Sequence, residues 1–347
     1  MTIITLSSYL KRQYGQKIYK LSLESGCTCP NRDGTLGTGG CTFCSAGGSG
    51  EFAQRVGAGQ TPAHSFHTSG SKVGTKGQGF LDSVHASVPE ADAEMKGSEL
   101  EAPVPDMDAQ IAAAKALVDR KIPASVPEKD RRYIAYFQSY TNTYGDTAYL
   151  RRLYSQVIRR DDIVILSIGT RPDCIDGDKL AMLRELNQIK PVWVELGLQT
   201  SSDETAERIH RGYPTSIFKD SYERLKAAGL TVIVHVILGL PGEAREDMLA
   251  TVRYLADLQP QIDGIKLQML NILKGSALAE EYRQHPFSQM TMEEYCDLVV
   301  DCLKILPAGV VVHRMTGDGP RKLLISPQWV TDKKRVLNML REKITEA

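Results

Sequence analysis

Cys27, Cys29, Cys41 and Cys44 fall within eighteen residues of a 347-residue chain that has seven cysteines in all. The stretch reads CTCPNRDGTLGTGGCTFCSAGGSG (27–50), with Gly34, Gly37, Gly39, Gly40, Gly47 and Gly48 threaded between the thiols. A loop is wrapped around something that thiolates hold. Three chemistries suit these residue types. All four cysteines could close a structural zinc site. Three could hold an iron-sulfur cluster with one iron open to an exchangeable ligand. Cys41 and Cys44 alone could form a redox dithiol. The odd cysteine count argues for a reducing compartment and against a disulfide framework. Cys174, Cys296 and Cys302 are expected to be small buried hydrophobes.

The surrounding elements weigh these readings. Residues 17–24 (KIYKLSLE) alternate polar and apolar side chains, which predicts a strand whose C-terminal end carries the cysteine loop. Further strands are expected at 133–140, 162–170, 191–200, 230–240 and 264–273. Helices are expected between them at 148–158, 177–188, 203–210, 218–228 and 245–258, and another over 108–121 with Asp106 or Asp108 as cap. Six strand-helix units with short, near-continuous apolar strands imply a parallel sheet buried on both faces, hence a complete or partial (β/α) barrel. Such barrels place chemistry at the C-terminal ends of their strands. Polar residues gather there: Gln138, Thr141 and Asn142; Thr170, Arg171 and Asp173; Glu195 and Gln199; His235; and Gln268, Asn271 and Lys274. A Glu or His inside strands this apolar needs a partner or a ligand. Position favours the open cluster, since a structural zinc knuckle would fill the barrel mouth and a thioredoxin-like dithiol does not sit in so many repeating units.

Composition is that of an ordinary globular protein, 42% apolar and 24% charged with zero net charge. No run of eighteen apolar residues is present, and the N-terminal residues lack the apolar core of a secretory signal, so a cytoplasmic protein without membrane contact is expected. Residues 57–105 lose all periodicity, and 90–108 holds seven acidic residues against Lys96. The expectation there is a disordered insertion, or else a lid. After 275 come a helix with Tyr295, Leu298, Val299, Cys302 and Leu303 on one face, a strand at 310–314, and a terminal helix from 332. From His313 onward eight Lys or Arg face four Asp or Glu, a solvated helix face or a weak phosphate-binding surface.

The phrases CPNRDG (29–34) and GGCTFC (39–44), followed by this alternation, resemble the radical S-adenosylmethionine superfamily, in the branch related to the catalytic subunit of Elongator. YFQSYTNTYGD (136–146), GTRPDCI (169–175), VELGLQTSSDETAERIHRGY (194–213), HVILGLPGE (235–243) and HRMTGDGPRKLLISPQW (313–329) are similar to the YhcC/YtqA group. CSAGGSGEF (44–52) is nearer to its YtqA subgroup. The resemblance spans nearly the whole chain outside the insertion. It implies an α/β fold, a partial (β/α)6 TIM-type barrel over 1–275 with a C-terminal extension over 276–347.

The same resemblance implies a [4Fe-4S] cluster on Cys29, Cys41 and Cys44, with Cys27 a bystander and S-adenosylmethionine chelating the fourth iron. It places Phe43 near the adenine, Gln199 and Arg211 on the methionine moiety, and His235 on the ribose. Gln138 to Asn142 stands where relatives carry a Gly-Gly-Glu for the methionine ammonium, a motif missing here, and Gly169 stands where several have Glu, for which Glu195 is the expected substitute. The implied activity is radical chemistry on the wobble uridine of tRNA, taking the 5-carboxymethylaminomethyl side chain toward the 5-aminomethyl or methylaminomethyl form. An external electron donor such as flavodoxin or ferredoxin, and a partner methyltransferase, would accompany it. A radical enzyme acting on a small metabolite and a non-catalytic four-cysteine zinc scaffold are the alternatives.

Overall fold

The computed structural model describes residues 1–48, 50, 51, 53, 104–317 and 319–347. The expected insertion lies outside the described residues as far as 103. In chain order the elements are β1 (Ile4–Thr5), α1 (Leu6–Tyr14), β2 (Tyr19–Leu23), α2 (Met107–Val118), β3 (Tyr133–Phe137), α3 (Thr147–Ile158), β4 (Ile163–Thr170), α4 (Gly177–Asn187) and β5 (Val192–Gln199). They continue with α5 (Asp203–Arg208), α6 (Thr215–Ala227), β6 (Thr231–Leu238), α7 (Arg245–Ala256), β7 (Gly264–Met269) and β8 (Ile272–Leu273). The tail adds α8 (Ala277–Gln284), α9 (Met292–Ile305), β9 (Val311–Arg314), β10 (Leu324–Ser326) and α10 (Lys333–Glu346).

Local chemistry sets these boundaries. Asp106, Asp146 and Asp176 each accept a backbone N–H of the first turn, starting α2, α3 and α4, which satisfies donors that a helix N-terminus leaves open. The strand expected over 133–140 stops at Phe137, because Tyr140 turns into left-handed backbone (φ 58°) and donates its N–H to Gly48 instead of to a strand. The strand expected over 264–273 splits into β7 and β8, and β8 pairs antiparallel with β10. The helix expected over 203–210 ends at Arg208, and the chain turns at His210 (φ 53°).

Eight parallel strands form one sheet in the order β1-β9-β7-β6-β5-β4-β3-β2. The six barrel strands β2 to β7 are therefore sequential neighbours, and β9 of the C-terminal extension adds beside β7. The sheet curls strongly. Lys20 on β2 and Lys266 on β7 both bond the carboxylate of Glu195 on β5, contacts that a flat sheet would forbid at ~5 Å per strand. This is a partial TIM-type barrel with helices packed outside. Its N-terminal end is plugged by α1, whose Leu10 packs with Ile18, Ile134, Ile165, Trp193 and Ile233. The opposite end carries the cysteine loop and stays open as a cavity.

Candidate active site and cofactor cavity

The loop after β2 is held on both flanks. Asn31 donates to the His210 carbonyl (2.5 Å), Thr42 N–H to Ile209 O (2.9 Å), and Leu278 N–H to Thr42 O (2.8 Å), tying the loop to the turn after α5 and the start of α8. Arg32 donates to the Cys44 and Ser45 carbonyls (3.1 and 2.6 Å). Gly40 has φ +74°, and a Cβ there would sit 2.8 Å from Arg32 Nε, so glycine is required twice over.

Cys29, Cys41 and Cys44 all line the cavity. Burial, then the nearby Cys44 and Cys29 sulfurs, push the Cys41 thiol up to about 12, against a lowering influence of Arg171. Cys27 does not line the cavity. It packs against the main core, near Ser25 and Gly145, and burial pushes its thiol up to about 11. Three soft thiols line one cavity and the fourth does not, a donor set that suits an iron-sulfur cluster with an open iron better than a closed four-thiolate zinc site, although among the described residues no three of these side chains are drawn together into a group that could hold a metal ion. Cys27→Ala is accordingly expected to retain the full iron content of the wild type and to cost ~1–2 kcal/mol of stability from the small void it leaves, read by iron assay and urea titration.

The cavity is also lined by Phe43, Gln138, Glu195, Gln199 and His235. Phe43 leans on an apolar cluster of Ile209, Ile237, Leu240 and Leu270, so its ring both anchors the loop and faces the cavity. Gln199 ends β5 in left-handed backbone (φ 64°), and its side chain passes so close to Gly197 that a Cβ there would lie 2.6 Å from Nε2. Such a conformation is kept only where surrounding contacts hold it; Tyr213 supplies one, donating to Gly197 O or sharing a bond with Gln199 Oε1 (3.0 and 3.3 Å).

Deeper in the barrel lies a charged group. Glu195 accepts from Lys20 (2.6 Å), Ser167 (2.7 Å) and Lys266, and shares a hydrogen bond with His235 Nε2 (2.8 Å). Burial opposes its ionisation, but Lys20 and Lys266 outweigh that and hold it well below the usual carboxylate range. These four groups engage both of its oxygens, and the residue lines the cavity, as a cofactor-facing carboxylate would require. Burial and then Lys266 push His235 down to about 4, against Glu195, so it is neutral at pH 7. A histidine whose folded value lies below its unfolded one adds stability that is complete above the unfolded value of 6.5 and is lost as pH falls toward about 4. His235→Gln is expected to flatten the urea midpoint across that window by at most ~3 kcal/mol.

Two of the expected cofactor contacts lie outside the cavity lining. Asn142 is wholly buried, donates to Phe137 O (3.1 Å) and Gly169 O (2.8 Å), and accepts from Ser25. Arg211 is wholly buried too, donating to Leu198 O, Thr200 O and Tyr213 O (2.7, 2.7 and 2.9 Å). Neither lines the cavity. Both are backbone clamps for the strand-end turns. The guanidinium groups that do line it are those of Arg32, Arg171 and Arg314; Arg171 is paired with Asp173 (2.7 Å) and lies over the Tyr213 ring (4.7 Å). Lys266, Lys20 and Tyr136 were missed from the sequence. The signal was present: a lysine inside the apolar strand 264–269 demands a partner as much as Glu195 does.

This fold and donor set define a cofactor-dependent barrel enzyme, and the comparisons name its class: the chain belongs to the radical SAM superfamily. Residues 107–255 match the family model for the radical SAM superfamily, and 262–346 that for the Radical_SAM C-terminal domain. YtqA of Bacillus subtilis is 35% identical over 98% of this chain and 88% of its own length. The tRNA uridine(34) acetyltransferase of Methanocaldococcus jannaschii is 27% identical over 47% of this chain and 30% of that protein. In structure, an archaeal Elp3 from Methanocaldococcus infernus with an N-terminal deletion superposes with a TM-score of 0.56 at 19% identity, covering 68% of this chain and 58% of that one. The chain is thus an enzyme using a [4Fe-4S] cluster and S-adenosylmethionine. Among the described residues, no helix is long and apolar enough to cross a membrane.

Proposed function

We propose that Cys29, Cys41 and Cys44 hold the cluster, that Phe43, Gln138, Gln199 and His235 line the seat of S-adenosylmethionine, and that the enzyme modifies the wobble uridine side chain of tRNA. The observation carrying the first part is that Cys29, Cys41 and Cys44 line the cavity at the strand-end mouth of the barrel while Cys27 does not. When bound, the cluster and S-adenosylmethionine supply a 5′-deoxyadenosyl radical. The chain's own part is to orient and to exclude water: Phe43 and the cysteine loop line the mouth of the cavity, and the apolar plug under α1 seals its far end.

The tRNA reading is supported by the partial likeness to a tRNA uridine(34) acetyltransferase. A base in the anticodon loop is unpaired and can be splayed into a pocket. The reaction would convert 5-carboxymethylaminomethyluridine toward the 5-aminomethyl form: the CH2 beside the carboxylate would lose a hydrogen atom and an electron, with S-adenosylmethionine as the two-electron oxidant ending as methionine and 5′-deoxyadenosine. Water would hydrolyse the resulting C=N bond to the amine and glyoxylate; a flavodoxin or ferredoxin would prime the cluster, and a methyltransferase would complete the methylaminomethyl form. Nucleosides from a deletion strain test this. The 5-carboxymethylaminomethyl form should accumulate, and purified enzyme should release more 5′-deoxyadenosine when that tRNA is added. An unchanged nucleoside profile rejects the tRNA assignment.

A further inference from the structure

The charged group in the barrel joins two lysines to a single carboxylate. Among the described residues, Glu195 is the one carboxylate bonded to either Lys20 or Lys266, and His235 shares its second oxygen. Two lysine amines thus share one carboxylate. Lys266 is the cation that both lines the cavity and is almost fully buried, at 3% exposure. Its remaining neighbours add no negative charge, since the Tyr136 hydroxyl accepts from it at 3.2 Å and the Tyr136 ring lies 4.6 Å away. Burial pushes its amine well below the ordinary lysine range; Glu195 opposes this, and Lys20 and Arg314 add to it. Arg314 and Gln268, bonded to each other at 3.0 Å, line the same wall. Residues within β5 and β7 lie deeper than the thiols on the loop beyond β2.

We propose that this group is a carboxylate seat: a substrate carboxylate enters the barrel, bonds Lys266 and completes a two-lysine, two-carboxylate arrangement with Glu195. A buried ammonium is costly unless paired, so an entering carboxylate favours the charged form of Lys266, and it presents two acceptor oxygens to the lysine and to the polar wall beside it. A neutral isostere would bring no charge to pair with that ammonium. The inference rests on the tRNA reading only for the molecule that carries the carboxylate.

The test uses reconstituted enzyme saturated with S-adenosylmethionine. N-benzylglycine and its amide are titrated by calorimetry, and in a second arm anticodon-stem RNAs carrying the 5-carboxymethylaminomethyl group or its carboxamide are turned over. The acid should bind about tenfold or more tighter than the amide, the factor carried by one charged hydrogen bond, and in the RNA arm the preference should appear in KM. Lys266→Met should abolish the preference by removing the bonding amine, and Lys20→Met, although Lys20 does not line the cavity, should weaken it by leaving Glu195 to pair with Lys266 alone. Glu195→Gln should keep it. Iron content and circular dichroism confirm that each variant is loaded and folded. Equal or undetectable binding of acid and amide, or a preference that survives Lys266→Met, overturns the seat. Acid binding that appears only without S-adenosylmethionine also overturns it, because the cofactor's own carboxylate would then be the occupant. Failure of both RNAs to turn over while the acid preference holds rejects the tRNA reading alone.

Discussion

Alanine at Cys29, Cys41 or Cys44 is expected to bring bound iron, the brown absorbance and S-adenosylmethionine cleavage to background in each single variant, while Cys27→Ala stays close to wild type. A three-thiolate site with an open iron has no spare ligand, and the neighbouring glycine-rich backbone has no side chain to replace one. The loop itself should survive. Its position depends on Asn31, Arg32 and the backbone bonds of Thr42 to the α5 turn and α8, not on the sulfurs. Anaerobic iron and sulfide assays beside thermal melts separate the two: iron should vanish while folded protein remains. Equal iron loss in all four variants would restore the four-thiolate reading.

Arg211→Met is expected to destabilise the fold by roughly 3–5 kcal/mol, an effect of the size seen when a buried charged network is broken. Three backbone carbonyls, of Leu198, Thr200 and Tyr213, lose their donor together, each at ~1–3 kcal/mol for a buried unsatisfied group. Lysine should not rescue, since one ammonium cannot reach carbonyls that a planar fork meets in three directions. Urea denaturation reads the loss. Because Arg211 stands outside the cavity, the KM for S-adenosylmethionine of the protein that remains folded should change little; a large KM increase with unchanged stability would mean that this guanidinium reaches the cofactor.

Arg211 and Glu195 show where reading from residues stops. Both are polar groups among apolar strand ends, and the demand for a partner is evident for each, because an apolar surrounding cannot solvate them. The partner's identity is not. A guanidinium suits a ligand carboxylate and a cluster of carbonyls equally, and only the turn from β5 into α5 and α6 brings three carbonyls to Arg211. The same holds for Asn142, whose amide bridges the C-terminal ends of β3 and β4.

What the sequence determined by itself was local or nearly so. The strand-helix alternation follows from apolar runs and capping aspartates acting within a few residues, and the cysteine loop follows from thiols and glycines crowded into one stretch. Residue types and spacing left all four thiols equal until the family resemblance set Cys27 aside, and the tertiary structure alone decided that Lys20, Glu195 and Lys266 form one charged group. Those contacts join residues 71 to 175 positions apart, through the curl of the sheet and the register of its strands. Neither is written in the period of any single strand, since a period of two tells which residues share a face and not which strand the face will meet.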